Sequence, residues 1–118
     1  MGDTRRLVGS TGEDAVVVWY EAAGYSVVDR NWRVRAGELD VIVRRGAVLV
    51  FCEVKTRRSN AFDTPAEAVT ARKQARIRSL AAQWLAANRV GARELRFDVA
   101  GVEPNGRGWT VSVIEGAF

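Results

Sequence analysis

A chain of 118 residues, 47% hydrophobic and 27% charged, is long enough for one domain around a single core and too short for two. It has no histidine and one cysteine, which excludes Ser-His-Asp hydrolysis, histidine-dependent nuclease chemistry, most zinc sites and an intrachain disulfide. The net charge of +4 favours a polyanionic partner, while the lack of a signal-peptide pattern and of any apolar run near the ~20 residues of a membrane span predicts a cytoplasmic protein without membrane attachment.

Residues 1–9 show no periodicity and are expected as a flexible tail, leaving residues 10–118 as one domain. Ser10 or Thr11 is suited to cap a helix running to about residue 23, with Glu13 and Asp14 complementing its dipole and Gly24 ending it. Glu13, Val16, Val17 and Tyr20 share a helical face, so Glu13 lies at the end of the packed stripe. Residues 25–32 read as a strand and 31–36 as its turn. Arg30, Arg33 and Arg35 along it serve either to bind phosphates or to keep a sheet edge soluble.

Residues 37–58, GELDVIVRRGAVLVFCEVKTRR, form the stretch around which the chain is organised. Two β-branched, apolar runs flank Gly46-Ala47, a two-residue loop with glycine at the first central position, as a type II′ hairpin turn requires. That turn sets Arg45 opposite Val48, Ile42 opposite Phe51, Asp40 opposite Glu53 and Glu38 opposite Lys55, and it places these inner residues on one face. Leu39, Val41, Val43, Val50, Cys52 and Val54 make an uncharged opposite face, so helices are expected on both sides of the hairpin.

Carboxylates opposed in this way have Cβ atoms about 5 Å apart. They repel by roughly 3 kcal/mol at an effective dielectric near 20. A divalent cation reverses the sign, because Mg²⁺ is held by one or two carboxylates and keeps water and phosphate oxygens at its remaining positions. Lys55, on the same face, stands where it can orient a water or neutralise charge on a phosphate. The plainer alternative pairs Glu38 with Lys55 and leaves Asp40 and Glu53 solvated at a strand end.

Residues 57–63 form a polar loop beyond Lys55, and Thr64-Pro65-Ala66-Glu67 matches a capping box. A helix over 71–88 follows, in which Lys73, Ile77, Leu80, Ala81, Trp84 and Leu85 form one stripe, with Arg72 and Arg76 on its flank as either a solvated face or phosphate contacts. Residues 94–102 alternate with Leu95, Phe97 and Val99 inward, and Asp98 is expected in a salt bridge with Arg96 or a helix-capping contact. The turn at 104–108 leads into a last strand over 109–114. The order predicts an α/β domain with a mixed sheet of about five strands and helices on both faces.

Asp40, a spacer crossing a hairpin turn, then Glu53-Val54-Lys55 resembles the PD-(D/E)XK nuclease signature, with Leu39 where the name has Pro. GELD at 37–40, FCEVKTR at 51–57, Gly12-Glu13, TPAEAV and RFDV at 96–99 together resemble the YraN-like family of small bacterial proteins, similar to archaeal Holliday-junction resolvases, over nearly the whole chain. The resemblance implies a restriction-endonuclease-like domain that hydrolyses phosphodiester bonds in DNA, branched or otherwise structured, with Mg²⁺ or Mn²⁺. It implies Asp40, Glu53 and the Val54 carbonyl as metal ligands, Lys55 as the residue that positions water, Glu13 as a supporting acid with an outer or direct metal contact, and a homodimer. Arg30, Arg33, Arg35, Arg57, Arg58, Arg72, Lys73 and Arg76 are the expected nucleic-acid contacts. The competing expectation is a non-catalytic nucleic-acid-binding or assembly protein on the same fold.

Overall fold

The computed structural model describes the backbone of residues 3–7, 11–57 and 69–118, and side chains from residue 11 onward within these stretches. The elements are β1 (Asp3–Leu7), α1 (Gly12–Ala22), β2 (Ser26–Val34), β3 (Gly37–Arg45), β4 (Val48–Thr56), α2 (Ala71–Asn88), β5 (Glu94–Asn105) and β6 (Gly108–Ile114). One sheet holds the strands in the order β1-β6-β5-β4-β3-β2. Only β4 and β5 run parallel, and α2 is the long connection that such a pair needs. The five expected strands are all present. A sixth, β1, forms from residues expected as part of a tail, pairing Asp3 to Leu7 with Val113 to Trp109 of β6. The expected capping box at 64–67, Ser10 and Arg58 lie outside the described residues.

The helices take opposite faces of the sheet. Thr11 caps α1, its hydroxyl accepting from the Asp14 N–H at 3.0 Å, and the helix buries Ala15, Val16, Trp19 and Tyr20 against Val41, Val43, Val50 and Cys52. The stripe is turned slightly from the expected one, since Trp19 is buried while Val17 is only half-buried. On the other face α2 sets Ile77, Leu80, Ala81 and Trp84 against Ile42, Leu49 and Phe51. Both faces of the β3–β4 hairpin are covered, as its two apolar sets require. Leu95, expected inward, is exposed although it pairs with Leu49, because it stands at the second position of β5, at the end of the sheet.

The central turn follows the residues that form it. Gly46 takes φ +59° while Ala47 stays at negative φ, and Arg45↔Val48, Arg44↔Leu49, Val43↔Val50, Ile42↔Phe51 and Val41↔Cys52 pair as expected. Among the described residues no helix is long and apolar enough to cross a membrane.

Candidate active site

The β3–β4 ladder ends at Val41↔Cys52, one position before Asp40 would pair with Glu53. Asp40 replaces the missing backbone contact with its side chain: Oδ2 accepts the Val54 N–H at 2.9 Å. A carboxylate that takes over a ladder hydrogen bond lets β3 leave β4 without stranding a buried N–H. The strict alternation also slips here, for Leu39 joins Ile42 on the α2 side instead of Val41 on the α1 side. Asp40 consequently reaches both faces. It borders a cavity of about 400 Å³ on the α1 side with Glu13, Val54 and Thr56, and another of about 200 Å³ on the α2 side with Glu38, Glu53, Lys73 and Arg76.

Burial pushes the Asp40 carboxyl up to about 7, with the Glu53 charge and a shared hydrogen bond with Glu38 adding to the rise and the Val54 N–H opposing it. A carboxyl held this way gains from any cation placed beside it. Among the described residues no group of three or more His, Cys, Asp or Glu side chains is arranged to share one ion. The donor chemistry is that of two carboxylates and a neighbouring backbone, which suits Mg²⁺ or Mn²⁺ retaining several waters and not an all-protein cage.

Glu53 is not solvated. Its Oε1 lies 2.9 Å from the Lys73 Nζ, reached from the first turn of α2. Lys73 lies beside Lys55, and this like-charged neighbour, followed by burial, lowers the Lys55 ammonium below its ordinary value. Burial works against the Lys73 charge, but the neighbouring Lys55 amine and Glu53 carboxylate outweigh it and hold that ammonium above its ordinary value. The two lysines divide their roles, Lys73 keeping the proton that Lys55 holds less firmly.

The expected Glu38–Lys55 pair does not form, because Glu38 pairs with Arg33 on β2 instead. Glu13 borders the α1-side cavity with Asp40, yet its Oε1 already accepts from Arg30 at 2.9 Å and from the Asn31 amide at 2.9 Å. Arg30 binds Asp14 as well, at 2.7 Å. Arg30 is thus engaged within the protein and Arg33 in a surface pair with Glu38, while Arg35, Arg72 and Arg76 are exposed and Arg57, just past β4, is half-buried. The Lys73–Glu53 contact was not legible as such. Its only sequence signal is that Lys73 begins the stripe that buries Ile77.

Asp98 belongs to a separate network. It is fully buried, bridged to Arg96 at 2.9 Å as expected, and further bound by the Tyr20 hydroxyl at 2.6 Å and the Gly116 N–H at 2.9 Å. With its oxygens satisfied on the α1 side of the core, it is a structural carboxylate.

The fold and site define an α/β domain with a small acidic cleft, edged by Lys73 and Arg76, at the point where two central strands part. The profile of the "Uncharacterised protein family UPF0102" matches residues 12–102. UPF0102 proteins of Beutenbergia cavernae, Frankia casuarinae and Moorella thermoacetica are respectively 55%, 48% and 42% identical, over 80%, 94% and 98% of this chain and 80%, 95% and 98% of their own. The chain belongs to the UPF0102 family, which is the YraN-like family its motifs resemble.

Proposed function

We propose that the protein is a metal-dependent endonuclease that hydrolyses phosphodiester bonds in DNA, branched or otherwise structured. What supports this most is the meeting of Asp40 and Glu53 where β3 parts from β4, in a cavity edged by Lys73 and Arg76, with Lys55 close enough to feel the charges of Glu53, Asp40 and Lys73. Asp40 and Glu53, with the Val54 carbonyl, would hold Mg²⁺ or Mn²⁺. When bound, such an ion supplies positive charge to the phosphoryl oxygens and acidifies water.

The protein's own groups have distinct tasks. Lys55 Nζ, less firmly protonated than an ordinary lysine, orients the attacking water and can take its proton. Glu38 and the Val54 N–H fix the Asp40 carboxyl. Glu13, held by Arg30 and Asn31, keeps a negative wall on the far side of Asp40. Arg76 on the cavity wall and the exposed Arg35 and Arg72 offer charge to the phosphate backbone. A four-way junction as substrate would need two such sites, hence a homodimer.

The test is a panel of end-labelled duplex, flap and junction DNAs incubated with Mg²⁺ or Mn²⁺. Parent protein should nick at least one structure, and Asp40→Asn, Glu53→Gln and Lys55→Ala should each lose more than about a hundredfold in rate while remaining folded. Full activity in either carboxylate variant contradicts the assignment. Tight binding to DNA with no cleavage by the parent would leave a nucleic-acid-holding protein.

A further inference from the structure

We infer that Lys73 is a built-in counter-cation, which occupies Glu53 in the metal-free protein, yields it to the incoming divalent ion, and passes its ammonium to the substrate phosphate. The inference rests on the nuclease reading above and assigns a positioning residue to that site.

Lys73 is oddly placed for a helix residue. It lies in the first turn of α2, which has no acidic side chain, and a cation there opposes the positive end of the helix dipole. Helix stability therefore does not explain it, whereas Glu53, 2.9 Å from its Nζ, does. The contact is well shielded, with the Glu53 side chain 12% and the Lys73 side chain 25% exposed. Its backbone is anchored, because the Lys73 N–H donates to the Thr70 hydroxyl at 3.2 Å. The four-carbon side chain is free to swing from that fixed point.

A divalent ion between Asp40 and Glu53 cannot share Glu53 with an ammonium at contact distance without strong like-charge repulsion. Released, Lys73 lies beside Arg76 on the wall of the same cavity, where a phosphate offers the nearest compensation. Metal and nucleic acid then help each other to bind, and the coupling is reciprocal.

The experiment measures free Mn²⁺ by electron paramagnetic resonance in titrations of the DNA-free parent, Lys73→Gln, Lys73→Arg and Asp40→Asn. Removing the competing charge should tighten Mn²⁺ binding about fivefold in Lys73→Gln, the equivalent of one modest ion pair. Lys73→Arg should bind as the parent does, and Asp40→Asn should not bind. Loss of binding in Asp40→Asn with equal or weaker binding in Lys73→Gln overturns the inference about Lys73 alone. Parent-like binding in Asp40→Asn overturns the metal site itself. A second readout serves even if Lys73→Gln does not fold: the chain has two lysines, Lys55 and Lys73, so ¹³C-lysine labelling gives a two-residue spectrum that Lys73→Arg assigns. Saturating Mg²⁺ should shift the Lys73 ε-carbon signal, and an unmoved signal overturns the inference.

Discussion

Asp40 is the residue on which pH acts most directly. In an unfolded chain it titrates near about 3.9, and in the folded protein its carboxyl is pushed up to about 7. The folded state holds that proton more tightly, so its contribution to stability is full below about pH 4 and is lost as pH rises through about 7. Asp40→Asn keeps an oxygen for the Val54 N–H and removes the charge. Without divalent ions the variant should exceed the parent by about 1–2 kcal/mol at pH 8, after allowance for solvent screening, and by little at pH 4. Urea denaturation at the two pH values checks this. Asp98 should behave in the opposite sense. Replacing it by Asn leaves the Arg96 guanidinium underpaired beside a buried core, and a loss of about 3 kcal/mol is expected at neutral pH in the same measurement.

At the scale of elements, the approach of α1 to the sheet sets where Glu13 stands. A Cβ on Gly12 would lie 2.6 Å from Val102 Cγ2 and 3.1 Å from Val102 Cβ, so Gly12→Ala must lift the helix from β5. A stability loss of about 1–3 kcal/mol is expected, read by thermal denaturation. The hairpin turn, the faces of β4 and of β3 from Val41 onward, both helices and the β5–β6 turn were legible, because glycine at a turn, period-2 runs and caps act locally, whereas Leu39 was expected with Val41 and lies with Ile42. The parting of the strands at Asp40 was not, since a side chain there takes a hydrogen bond that backbone pairing would otherwise make. β1 escaped notice because Asp3–Leu7, DTRRL, is mostly polar and pairs with β6, a strand distant in sequence. The candidate carboxylates were found by register, but the partners of Glu13, Glu38 and Glu53 come from β2 and α2. Long-range contacts of that kind leave no periodic trace in the chain.

For the whole molecule, charge engaged inside the protein is not available to a polyanion. Eight basic residues were expected to contact nucleic acid, yet Arg30 is held by Glu13 and Asp14 and Lys73 by Glu53, while Arg33 shares its charge with Glu38 at the surface. With Arg35, Arg72 and Arg76 exposed among the described residues, about three phosphate contacts are expected, and log affinity for duplex DNA should fall against log salt with a slope near −3 in EDTA. Ca²⁺, by releasing Lys73, should steepen it by about 1, as fluorescence anisotropy across a salt series would record. The measurement closest to the central claim is the melting temperature of the parent and of Asp40→Asn, at pH 8, with and without Mg²⁺ or Mn²⁺. The parent should melt below the variant without metal and rise by several degrees with it, while the variant stays unmoved. A parent indifferent to both ions, together with a variant that melts lower in their absence, would contradict a cation site built from Asp40 and Glu53.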